Sequence, residues 1–138
     1  MPALSLSVRD YMSLRFATLT ENQSLQEASK IMIDREVLGA PVVDNIGNLV
    51  GILSVTDCIG AAISSGYNPG WSGKVGDVMS CDVRTVEVDD NIMDIAKAFM
   101  NEPYRRYPVV DDNRVVGMVS RLDVLKALRK VSEAGVPV

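Results

Sequence analysis

The chain has 138 residues, 47% of them hydrophobic and 5% aromatic, a globular balance in the size range of one compact domain. Its net charge of −4 argues against a general nucleic-acid binder or a partner of anionic membranes. It has no histidine, which removes the commonest general base, metal ligand and pH switch together.

No apolar run approaches the length of a membrane span, and Met1-Pro2-Ala3-Leu4 lacks the basic start of a secretory signal. Cys58 and Cys81 stand in no metal or redox spacing and read as free thiols of a reducing, cytoplasmic compartment. In chain order, Ala17-Thr18-Leu19 is a short strand. Ser24 and Glu27 form a capping box that opens a helix with Leu25, Ala28, Ile31 and Met32 at helical spacing, running to about Glu36. Pro41 to Asp44 and Leu49 to Leu53 read as a hairpin across Asn45-Ile46-Gly47-Asn48, and a second helix runs from near Ser54 to about Ser64. Ser65 to Gly73 is dense in turn formers and reads as a linker. Then the order returns: strand Thr85-Val86-Glu87, a helix capped by Asn91 with Ile92, Ile95, Ala96 and Phe99, a hairpin Tyr107–Asp111 and Val115–Val119, and a last helix lined by Leu122, Val124, Leu125 and Leu128.

The return is literal. Val8-Arg9-Asp10-Tyr11-Met12-Ser13 reappears 67 positions later as Val75-Gly76-Asp77-Val78-Met79-Ser80, and Pro41-Val42-Val43-Asp44 as Pro108-Val109-Val110-Asp111. Gly51-Ile52-Leu53-Ser54-Val55-Thr56-Asp57 reappears 66 positions later as Gly117-Met118-Val119-Ser120-Arg121-Leu122-Asp123, one residue having gone at the turn around Gly47. A tandem repeat of this length suggests a pseudo-two-fold axis, with domains at 8–64 and 75–131, a linker at 65–74 and a tail at 132–138.

The motif Gly-h-h-Ser-x-x-Asp has two readings. Ser54/Asp57 and Ser120/Asp123 fit helix capping boxes, although Asp is shorter than the preferred Glu and reaches back less well. The same geometry serves a ligand. A helix N-terminus offers free N–H groups and a positive dipole end to a phosphate, the carboxylate can accept from a ribose diol, the hydroxyl can donate, and glycine allows close approach to the backbone.

The order Val-x-Asp-x-Met, Pro-Val-Val-Asp, Gly-h-h-Ser-x-x-Asp, in register twice, resembles paired CBS domains, the family named after cystathionine β-synthase. The resemblance implies an α+β (α/β) fold of two β-α-β-β-α units packed sheet to sheet around a pseudo-two-fold axis. It implies a cleft with related sites for AMP, ADP, ATP or S-adenosylmethionine, no required cofactor or metal, and a homodimer that signals to a regulated protein partner. Position by position it places the ribose-binding Asp at Asp57 and Asp123, the ribose or phosphate hydroxyl at Ser54 and Ser120, and a second hydroxyl at Thr56, where the other copy has Leu122. In the family the residues before Pro-Val-Val-Asp commonly approach the base or phosphates, which the resemblance places at Leu38-Gly39-Ala40 and Arg105-Arg106-Tyr107. By the same resemblance, Ala17-Thr18 and Arg84-Thr85 are expected to wall the adenine slot. Arg106 and Arg121 flank the second cleft motif and are candidates for phosphate, whereas Arg114 reads as a solvated turn residue.

Met12 and Met79 read as core or interface filler at the start of their repeats, Trp71 as a packing anchor between halves or subunits, Cys58 as core and Cys81 as an exposed thiol. Tyr107 could stack on a base or start a buried strand. Three functions compete: an adenosine-nucleotide sensor, a dimerisation module that binds no nucleotide, and an enzyme. The last is disfavoured by the missing histidine, the absence of a P-loop and the lack of a sequence-evident activating group for either cysteine. The sites are expected to be unequal, with phosphate charge favoured where the arginines lie.

Overall fold

The computed structural model describes residues 4–66 and 73–135. Trp71 and most of the expected linker, with the end of the expected tail, lie outside the described residues. The chain forms a mixed α+β structure of two compact units. The first unit is built from Phe16–Val83 with the hairpin tip Asn113–Val115. The second joins the segment ending at Arg15 to Arg84–Asp112 and to the segment beginning at Val116.

In the first unit, α1 (Leu25–Arg35) starts at Ser24, whose hydroxyl accepts from the Glu27 amide at 3.0 Å. The expected box is only half closed, because Glu27 takes Gln23 Nε2 at 3.5 Å rather than reaching back. Leu25, Ala28 and Met32 bury one helical stripe. The helix stops at Glu36, a non-glycine residue in the left-handed region (φ 55°) whose amide bonds to Met32 and Ile33 carbonyls. β1 (Gly39–Val43) and β2 (Leu49–Ser54) pair antiparallel, and α2 (Val55–Ser64) follows without a break. A single turn, α3 (Val75–Val78), completes the unit. Leu19 adds a parallel bridge to Val42 where the first short strand was expected, and Leu19, Leu25, Met32, Val42 and Leu53 form the core.

The second unit repeats this plan. β3 (Val86–Glu87) runs parallel to β4 (Arg106–Asp111), which neighbours β5 (Arg114–Ser120). α4 (Ile92–Asn101) begins at Asn91 and α5 (Arg121–Glu133) follows β5 directly. The two hairpin turns account for the lost residue. The first is a longer turn held by Asp44 Oδ1, which accepts from the Ile46 and Asn48 amides at 3.0 and 2.9 Å, with Gly47 at φ 89°. The second is closed by Asp112 and Asn113, both left-handed (φ 52° and 64°), as a two-residue turn of the type-I′ class demands. The last helix departs from expectation. It buries Val124, Ala127 and Val131, while Leu122 and Leu125 are 59% and 61% exposed. It carries two apolar stripes, and only one can cover the sheet.

Packing units and sequence repeats divide the chain differently, because the opening segment of each repeat is lodged with the other repeat's hairpin. Val8 N bonds to Asp90 O (2.9 Å), Arg9 N to Val88 O (3.1 Å) and Ile92 N to Leu6 O (2.7 Å). The equivalent bonds in the first unit are Val75 N to Gln23 O (2.9 Å), Gly76 N to Glu21 O (3.0 Å) and Leu25 N to Gly73 O (3.1 Å). Ser13 then pairs with Met118, and Ser80 with Ile52. The methionines lie over glycines. A Cβ on Gly51 would stand 2.7 Å from Met79 Sδ and 2.9 Å from Ser80 O, and one on Gly117 would stand 2.6 Å from Met12 Sδ. The glycine of the Gly-h-h-Ser-x-x-Asp motif therefore admits a neighbouring stretch of this chain, where the sequence suggested a ligand.

Candidate functional site

In each unit three separated segments meet at one end of the sheet. Gly39 faces Ser54 and Ala40 faces Leu53 across the hairpin, and the Val55 amide donates to Leu38 O at 2.9 Å, so the start of β1 lies against the strand-to-helix corner. Leu19 N donates to Pro41 O at 2.9 Å, which brings Ala17-Thr18 to the same end. In the second unit, Arg121 N donates to Arg105 O at 3.3 Å, and Val86 pairs with Val109, which brings Thr85 alongside. The predicted sets Thr18, Ala40, Ser54, Thr56, Asp57 and Thr85, Arg106, Tyr107, Ser120, Arg121, Asp123 are thus each gathered within a single unit.

The aspartates do reach back. Asp57 Oδ2 accepts from Ser54 N at 2.8 Å and Ser54 Oγ from Asp57 N at 3.0 Å. Asp123 Oδ2 accepts from Ser120 N at 2.9 Å and Ser120 Oγ from Asp123 N at 3.2 Å. Both boxes are closed, whereas the Glu27 box is not; Ser54 and Ser120 come off a strand with their amides already turned toward the first helical turn. Capping occupies one carboxylate oxygen only. Oδ1 of each aspartate accepts no hydrogen bond from any described residue, so the cap fixes the carboxylate and leaves an acceptor for a diol. Both aspartates are half-buried, Thr18 and Thr56 are exposed, and Thr85 is half-buried.

The surroundings differ as the sequence suggested, though not by the same residues. Ala40 is fully buried, which leaves its backbone to border a site. Tyr107, its counterpart, is equally buried; its ring stacks on Phe99 with centroids 4.5 Å apart, in the core and not against a base. Its hydroxyl has no hydrogen-bond partner among the described residues, and burial, with the Glu102 charge next, pushes its pKa above the ordinary value. Arg84 pairs with Glu102 at 3.1 Å and lies 5.5 Å over the Tyr107 ring. Arg121 lies 6.0 Å over Phe99 and lines the apolar groove between α4 and α5. Arg106, half-buried, and Arg105, exposed, make no side-chain ion pair or hydrogen bond among the described residues. Arg114 is exposed, as expected, at the start of β5 beside the turn. Cys58 is buried, and burial first and Asp57 second hold its thiol above its usual pKa; Cys81 is exposed. The seats at Gly51 and Gly117 escaped the sequence reading, although the co-repetition of Met with Gly carried the signal.

Two α+β units, each presenting a capped Ser/Asp corner on a duplicated scaffold, define a tandem-repeat module. The chain belongs to the CBS-domain family: the CBS domain model matches residues 8–64 and 75–130. It is similar to an uncharacterised protein of Methanocaldococcus jannaschii, 37% identical over 112 residues that make up 80% of this chain and 36% of that one. It spans 45% and 44% of two further relatives from that organism. Among solved structures it is similar to CBSX2 of Arabidopsis thaliana in complex with AMP (TM-score 0.80, 25% identity, 93% of this chain and 99% of that one). It is also similar to the CBS domain pair of protein MJ0100 in complex with 5-methylthioadenosine and S-adenosyl-L-methionine (TM-score 0.74, 30% identity, 90% of this chain and 96% of that one). No helix among the described residues is long and apolar enough to cross a membrane.

Proposed function

We propose that this chain is a regulatory module that binds an adenosine-containing ligand and passes its occupancy to a protein partner. The observation that carries the reading is the doubled corner, in which a carboxylate fixed by its own cap keeps one oxygen free beside a helix N-terminus. A ribose diol donates to Asp57 or Asp123, Ser54, Thr56 and Ser120 offer hydroxyls, and Thr18 and Thr85 border the base. Arg106 takes the phosphate in the second unit, which makes that corner the tighter one for charged nucleotides. The ligands held by the related CBSX2 and MJ0100 structures support the chemical class. Titration calorimetry with AMP, ATP and S-adenosylmethionine tests it: saturable binding abolished in the Asp57→Ala/Asp123→Ala double variant is the expected result, and no binding of any of the three refutes it.

The module acts as a homodimer in this reading. Exposed apolar residues sit on equivalent helices of both units: Ile33 and Ile59 on α1 and α2, Met100 and Leu125 on α4 and α5. Light scattering of the purified chain reads the mass directly. A monomer at micromolar concentration refutes this part.

A further inference from the structure

The two corners share a scaffold but not their surroundings, and the differences run in opposite directions. Four arginines stand at the segments that meet at the Asp123 corner: Arg84, Arg105, Arg106 and Arg121. The repeat-equivalent positions at the Asp57 corner are Ala17, Leu38, Gly39 and Val55, none of them charged. Arg84 is engaged by Glu102 at 3.1 Å, and Arg121 lies over the Phe99 ring at 6.0 Å. Arg105 and Arg106 bring guanidinium groups with no side-chain partner among the described residues. Hydroxyls favour the other corner. Thr56 is exposed in the first turn of α2, where α5 has Leu122, 59% exposed. Ser120 Oγ donates its proton to Asp123 Oδ2 at 3.0 Å, inside its own cap. Ser54 Oγ accepts from Asp57 N at 3.0 Å and donates to no described residue, so its proton stays available.

We propose that the chain sorts nucleosides by the charge of the 5′ substituent: the Asp57 corner takes a nucleoside with an uncharged 5′ group, and the Asp123 corner takes the 5′-phosphate. The inference rests on the adenosine-binding reading for its ribose contact and names the ligand class at each corner. The helix N-termini do not make the difference, because α2 and α5 begin with the same cap and present the same positive dipole end. The aspartate is common to both as well. What differs is the balancing charge. At the Asp57 corner a phosphate meets a carboxylate with no arginine at any of the equivalent positions, and like-charge repulsion opposes what the helix end contributes. A 5′-hydroxyl carries no such penalty and still accepts from Ser54 and Thr56. At the Asp123 corner Arg105 and Arg106 offer a phosphate charge-assisted hydrogen bonds from planar, forked donors. A neutral 5′ group gains less there, because Leu122 has no donor and the Ser120 proton is already given to Asp123. One duplicated scaffold thus reads two forms of one nucleoside.

Nuclear magnetic resonance titration of the full chain reads both corners without altering either, because the Thr56 and Leu122 amides lie in the first turns of α2 and α5. Adenosine and AMP are the probes. The Thr56 amide is expected to respond to adenosine at concentrations no higher than it needs of AMP. The Leu122 amide is expected to respond to AMP at concentrations about tenfold lower than it needs of adenosine. Arg105→Leu combined with Arg106→Ala should erase the preference at Leu122 and leave the Thr56 responses as they were, which also shows that the variant is folded. An AMP preference of the same size at both amides overturns the sorting and keeps the adenosine-binding reading. So does a Thr56 amide that stays still while Leu122 moves, or an arginine variant that retains the full preference at Leu122. Amides that move with neither compound overturn the adenosine-binding reading, and the sorting with it.

Discussion

Replacing Asp57 by Asn and by Ala separates the cap from the ligand contact. Asp57 Oδ2 accepts from the half-buried Ser54 amide at 2.8 Å. Ala removes that acceptor and leaves a partly desolvated N–H unpaired, which costs about 1–2 kcal/mol of stability, or roughly 3–6 °C in Tm for a chain of this size. Asn keeps a carbonyl oxygen for the cap and loses only the charge at the helix N-terminus, about 0.3–1 kcal/mol. Toward a ribose diol the two are alike, because Asn offers one acceptor where the carboxylate offers two. Losing a charge-assisted hydrogen bond costs about 1.5–3 kcal/mol, or roughly 10–150-fold in affinity. Thermal melts and AMP calorimetry on both variants, each built on Asp123→Asn so that one corner is read, give the pattern. The expected signature is a large affinity loss in Asp57→Asn with a small shift in Tm. An Asp57→Asn protein that binds as tightly as its parent refutes the ribose assignment and leaves Asp57 a cap.

Other consequences are open to measurement. Gly51→Ala, whose methyl would overlap Met79 Sδ and Ser80 O, should cost about 1–3 kcal/mol by denaturant unfolding, and adding Met79→Ala should recover part of it; equal stability of Gly51→Ala and wild type would contradict the seat. Tyr107 has a raised pKa in the folded chain relative to its ordinary 10.0, so its stabilising contribution is present below pH 10 and is lost as pH rises through the folded value. Alkaline melts should fall off above that point less steeply in Tyr107→Phe, which at neutral pH should be no less stable because the lost hydroxyl had no partner. A soluble disulfide reagent should label Cys81 at once and Cys58 only on unfolding; equal rates would contradict the buried, protonated state of Cys58.

Local signals carried far in this chain. Hydrophobic spacing, the Asn/Asp/Gly turns and the cap residues placed all four long helices and both hairpins, because each depends on neighbours within a few positions. The repeat identified the family and marked Ser54/Asp57 and Ser120/Asp123 as equivalent corners. Side-chain direction was less legible. Leu122 and Leu125 look like a core stripe until the sheet takes the Val124 face. A helix with two apolar faces cannot declare from sequence which one is covered. The exchange of Met12-Ser13 and Met79-Ser80 was beyond any local rule. Sequence alone determined that the scaffold is written twice, that its corners carry a hydroxyl and a carboxylate, and that the copies differ in charge. Only the tertiary structure decided that the motif glycine serves the other repeat's methionine, because which chain segment fills a seat depends on contacts some 30 to 105 residues apart along the chain.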